Sequence, residues 1–194
     1  MMKWLSWYFL IINIIGFVLF LINMYLYSHT DNKHVDPLLT FVSLLGGTIG
    51  IIIPIVLFDR KAVKQNMMSR VFVWCLFIIQ ITCFLIYKQG LFNNFSIPFI
   101  SFFKHHKFIL WYLILINILT FIYFGIDKYK AINNKYRISI VTLLLLAGIG
   151  GSLGALSAMY IFRHKTKKDY FTVGIPLIIV MQIVLLFYIS NTFN

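Results

Sequence analysis

Apolar residues run along the chain in six long blocks, and charged residues fall almost entirely between them. The blocks cover 4–27, 37–58, 71–87, 108–126, 139–162 and 172–190. About 20 residues rising 1.5 Å each match the roughly 30 Å hydrocarbon core of a bilayer. The pattern predicts an all-α polytopic membrane protein with six transmembrane helices. Segment 89–107, QGLFNNFSIPFISFFKHHK, is too short in its apolar part to span and is interrupted by Pro98. It reads as a loop or a Phe-rich interfacial helix. The first block has neither the short apolar core nor the small-residue cleavage site of a signal peptide, so a retained span is expected.

A second pattern lies over the first. Shifted by 104 residues, Lys3–Lys64 falls on Lys107–Lys168 without a gap, and 17 of the 62 pairs are identical. Among them are Trp7/Trp111, Tyr8/Tyr112, Asn13/Asn117, Gly46/Gly150, Gly47/Gly151, Gly50/Gly154 and Lys61/Lys165. Gln80 and Gln182 match at a shift of 102. Apolar chains match themselves by chance, but glycine, tryptophan and asparagine at one offset point to duplication. The division is a first three-helix repeat at 1–88, a linker at 89–107 and a second three-helix repeat at 108–194. A unit that crosses three times leaves its successor starting on the opposite side, so two inverted repeats are expected, a common build for transporters. On that topology the basic residues divide nine against eight, and orientation is unreadable.

Composition agrees with a membrane setting. Only 11% of the 194 residues are charged, against about 25% in soluble domains. The net charge of +12 sits in the breaks, where it suits anionic lipid headgroups. No basic domain or motif points to nucleic acid. Cys75 and Cys83 share one apolar block, so neither a disulfide nor a zinc site is expected. His29, Asp31, His34 and Asp36 lack a recognised metal spacing, and His105 and His106 read as a basic linker. No metal, cofactor or catalytic residue is expected.

Gly46, Gly47 and Gly50 lie mid-block, as do Gly150, Gly151 and Gly154. Small residues four apart let helix backbones approach closely, and the two glycine faces are expected to meet each other on the axis between the repeats. Helix packing is the plain reading; an unwound midpoint along a pathway is the sharper one. Asn13, Gln80, Asn117 and Gln182 are intramembrane amides, expected to hydrogen-bond between helices. No acid or base lies well inside a block, and Asp127 is expected to pair with Lys128 at the interface.

The runs GIDKYKA (125–131), RI (137–138), GIGGSLGA (148–155) and FRHKTKKDYF (162–171), followed by Pro176 and Gln182, resemble a bacterial membrane family, domain of unknown function 1294. The order and spacing match over roughly 115–190. The resemblance implies a cytoplasmic-membrane location and a fused pair of units with a degenerate first copy. Asn23-Met24 stands in the place of Asp127-Lys128, and Asp59-Arg60-Lys61 in that of Arg163-His164-Lys165. The family's Arg-Ile-Pro-Glu is here Arg137-Ile138-Ser139-Ile140. Arg163, His164, Lys165, Lys167 and Lys168, with Arg60, Lys61, Lys128 and Arg137, are candidates for anion or lipid-headgroup binding. Catalysis would need a carboxylate beside His164, and the sequence shows none nearby. The function expected is a small channel or transporter-like protein handling an ion, an anionic solute or a lipid headgroup at the repeat interface. The alternative is a structural, accessory or protective membrane protein that binds a partner complex.

Overall fold

A computed structural model of the chain describes residues 2–29, 36–58, 67–91 and 99–193. Its helices are α1 (Met2–His29), α2 (Asp36–Val42), α3 (Thr48–Leu57), α4 (Met67–Lys88), α5 (Phe99–His105), α6 (Lys107–Ile132), α7 (Ile140–Leu146), α8 (Ser152–Ile161), α9 (Asp169–Thr172) and α10 (Gly174–Thr192). Six stretches among the described residues are long and apolar enough to cross a membrane: Ser6–Leu26, Pro37–Leu57, Met67–Lys88, Lys107–Ile132, Ile140–Ile161 and Asp169–Thr192. Among the described residues of segment 89–107, Phe99–His105 form the short α5 and Lys107 begins α6. The chain forms two compact units, Met1–Ile81 and Thr82–Asn194.

In the second unit, α6 and α10 run in opposite directions. Phe124 and Phe171 stack edge to face near one end, with centroids 5.6 Å apart. At the other end His106 Nε2 lies 3.4 Å from the Phe193 carbonyl. The stretch Ile140–Ile161 does not run straight beside them. The Ile138 N–H donates to Asp127 Oδ1 at 3.0 Å, and Lys165 Nζ lies 2.7 Å from Asp127 Oδ2. A straight helix would hold residues 138 and 165 about 40 Å apart, at 1.5 Å per residue. Instead, both flanks of the stretch meet at one carboxylate.

The stretch is therefore a helical hairpin. Helix α7 descends antiparallel to α6 until the Tyr112 hydroxyl donates to the Ile149 carbonyl at 2.7 Å. Then α8 climbs back parallel to α6. Gly154 lies on Asn117, Phe162 packs on Phe121 and Gly125, and Lys165 ends on Asp127. The reversal is a wide π-type turn, Ala147–Gly151, with Gly150 at φ +130° and ψ −8°. Glycine reaches that region without the steric cost of a Cβ.

The first unit repeats the device. Its turn is Ser43–Gly47, with Gly46 at φ +104° and ψ 7°. The next residue, Gly47, has φ −81° and ψ 17°, against −88° and 18° at Gly151. Matching torsions give a matching reversal, so α2 descends α1 and α3 returns along it.

The hairpins correct the topology expected from the sequence. The six apolar stretches are present, but the second and fifth each enter and leave at one end of their unit. A stretch that folds back is not a single crossing, so the three-crossing parity behind the expected inverted repeats is not met. The glycine faces are corrected too. Gly50 abuts the Asn13 backbone and Gly154 the Asn117 backbone, so each face packs on the first helix of its own unit.

Candidate functional site

Reversing a helix in apolar surroundings leaves backbone groups without partners, each costly where water is absent. Side chains from both flanking helices supply them. In the second unit Asn117 Nδ2 donates to the Gly150 carbonyl at 2.9 Å, and Asn117 Oδ1 accepts from the Gly154 N–H at 2.7 Å. Gly151, which begins α8, offers no side-chain cap. Asn117 thus caps α8 from a neighbouring helix at the position an N-cap residue ordinarily serves. From the other side Gln182 Nε2 donates to the carbonyls of Ala147 (2.7 Å) and Gly148 (3.0 Å). Its Oε1 accepts from the Ser152 hydroxyl.

The first unit has the same stitching. Asn13 Nδ2 donates to the Gly46 carbonyl at 3.3 Å and Asn13 Oδ1 accepts from the Gly50 N–H at 2.7 Å. The Tyr8 hydroxyl donates to the Leu45 carbonyl at 2.9 Å. Gln80 Nε2 donates to the Ser43 carbonyl at 2.7 Å, and Gln80 Oε1 accepts from the Thr48 hydroxyl at 2.7 Å. The four amides singled out in the sequence are thus the tip's hydrogen-bonding set. Beside each tip is a shallow apolar groove of about 530 Å³, and all eight residues lining one groove match the other at the 104-residue shift.

The hairpin's mouth in the second unit is held by charge. Asp127 is fully buried. Its Oδ2 meets His164 Nε2 at 2.9 Å as well as the Lys165 ammonium, which correction replaces the expected Asp127–Lys128 pair. It also gives His164 a carboxylate neighbour. That carboxylate is shared with Lys165 and the Ile138 N–H, an arrangement suited to closing the mouth. The loop gets there through a helix end of Schellman type. The Arg163 N–H donates to the Tyr160 carbonyl at 3.2 Å and the His164 N–H to the Met159 carbonyl at 3.1 Å. Arg163 takes the left-handed position at φ +46°, and Lys165 is left-handed at φ +63°. Non-glycine residues rarely sit there, and such strain persists where surrounding contacts outweigh it. The Lys165 ammonium also lies 4.7 Å from the centroid of the buried Phe171 ring. Burial holds its pKa below the ordinary lysine value, against the pull of Asp127.

Of the basic candidates, His164 and Lys165 turn inward to Asp127. Arg137, Arg163, Lys167 and Lys168 are exposed and Lys128 is half-buried. Arg60, Lys61, Asp31 and His34 lie outside the described residues, as do the side chains of His29 and Asp36. Among the described residues no group of three or more His, Cys, Asp or Glu side chains could hold a metal ion. The sequence reading missed Asp127 as a site residue, although it stands in the GIDKYKA run. It also missed Ser152 and Thr48, whose only signal was their shared place in the repeat.

The family described as Protein of unknown function (DUF1294) matches residues 117–171. Those bounds run from the amide at the hairpin tip to the ring beneath Lys165. The Uncharacterized protein YsdA of Bacillus subtilis (strain 168) is 43% identical over 83 residues, 43% of this chain and 93% of that relative. The chain belongs to the DUF1294 family. No solved structure matches it. The DUF1294 match covers the second unit's hairpin together with Asn117 and Asp127, which bond its tip and its mouth. At the 104-residue shift the acid of the mouth is replaced by Asn23, which is also buried.

Proposed function

We propose that this DUF1294 protein is a polytopic protein of the bacterial cytoplasmic membrane, built from a tandem pair of units with a degenerate first copy. We infer that it is a small transporter-like protein passing an anionic solute or lipid headgroup. One observation carries the reading: each unit contains a hairpin whose tip stops partway along the full-length helices. Helices that stop inside a membrane are tolerated where they are buried in protein or line a cavity, and they recur at transport sites. The N-terminal end of a half-helix carries partial positive charge, which favours anions. Here that end belongs to α8 and to α3, beside the two grooves. In proteoliposomes the purified protein is expected to release trapped small anions, or to move labelled anionic lipid between leaflets, faster than protein-free vesicles. Rates equal to protein-free vesicles, from folded and inserted protein, would refute transport.

A second reading rests on a different observation. The carbonyls of Ala147, Gly148, Ile149 and Gly150 all accept side-chain hydrogen bonds. A tip so fully bonded suits a rigid element that docks a membrane-protein partner. Absent flux together with a stoichiometric partner retained through purification from native membrane would favour it.

A further inference from the structure

We propose that the mouths of both hairpins face the cytoplasm and that the Phe193 end lies outside. The inference rests on the membrane-spanning part of the reading above and not on transport. Because α7–α8 folds back, loops 128–139 and 162–168 lie at the same end of the second unit, tied together by Asp127. A straight crossing would have put them at opposite ends. Together these loops hold eight lysines and arginines, whereas residues 82–107, toward the other end, hold three. Taken by itself, the first unit has five basic residues in the stretches 30–35 and 58–70 that flank its hairpin, and one at the start of α1. The positive-inside rule counts such residues in short loops and near span ends. Applied to each unit separately, it puts the hairpin mouth in the cytoplasm both times. The even division of charge found on a six-crossing topology came from assigning the two flanks of each hairpin to opposite sides. The cytoplasmic leaflet carries anionic lipid, which favours basic loops there.

The test is labelling of single cysteines with a membrane-impermeant maleimide, in full-length protein with Cys75 and Cys83 replaced by alanine. Tyr136→Cys, Lys167→Cys and Lys64→Cys are expected to label only after the cells are permeabilised, with at least a tenfold rise. Lys104→Cys is expected to label in intact cells. The reverse pattern overturns the orientation. Labelling of Tyr136→Cys and Lys167→Cys from opposite sides overturns the hairpin itself. If the cysteine-free background fails to insert, reporters fused after Phe193 in the otherwise unaltered chain decide the orientation. Alkaline phosphatase is then expected to be active and green fluorescent protein dark; the opposite result overturns the proposal. Flux plays no part in the readout, so failure of transport and failure of orientation are distinguishable.

Discussion

Asp127→Asn should lower the melting temperature of the detergent-solubilised protein by about 10 °C. The carboxylate is fully buried and meets three donors: the Ile138 N–H, His164 Nε2 and the Lys165 ammonium. Asparagine can still accept from Ile138 but leaves the lysine, itself only 15% exposed, without an opposing charge. Removing one partner of a buried pair costs about 3–5 kcal/mol, and a chain of this size loses about 2–4 °C per kcal/mol. Replacing the whole pair with uncharged groups is often close to neutral. Asp127→Asn combined with Lys165→Met should therefore regain much of the loss, a non-additivity that a double-mutant cycle measures. Simple addition of the two single effects would show that no such pair closes the mouth.

The second large effect separates two glycines six residues apart. A Cβ on Gly154 would clash with the Asn117 backbone oxygen, a contact that no side-chain rotation relieves. Gly154→Ala must push α8 off α6 and break the cap from Asn117 to the Gly154 N–H. Overpacking typically costs about 1–3 kcal/mol, and loss of a buried hydrogen bond adds about 1–3 more. A Cβ on Gly148 would meet nothing within 4 Å. Gly148→Ala should be neutral or stabilising by up to about 1 kcal/mol, the helix preference of alanine over glycine. Thermal unfolding of the two variants side by side checks both. Equal stabilities would mean that α6 and α8 do not approach so closely.

Much of the architecture was legible because apolar length is a strong signal. All six apolar blocks recur as helical stretches, and the identities at one offset mark residues with matching roles. Asn13 and Asn117, or Gly46 and Gly150, are such pairs: in each unit the amide bonds the turn and the glycine takes its positive-φ position. The hairpins were not legible. A block such as 139–162 is as long and as apolar as a straight span, and hydropathy carries no information on direction. The reversal lies in the backbone torsion at Gly46 and Gly150, and glycine in an apolar block marks close packing just as often as a turn. Asp127 was hidden for a related reason. Its neighbour in sequence is Lys128, whereas its side-chain partners His164 and Lys165 lie 37 and 38 residues further on, reachable only once the chain has folded back.

A distance across Ile140–Ile161 tests most directly whether this stretch folds back. Spin labels at Tyr136→Cys and Lys167→Cys sit on exposed side chains at the two ends of the hairpin. Pulsed electron paramagnetic resonance in bilayers is expected to give a single separation less than half of the roughly 40 Å that a straight helix between residues 138 and 165 would impose. A separation of about 40 Å or more would contradict the hairpin and restore a straight crossing.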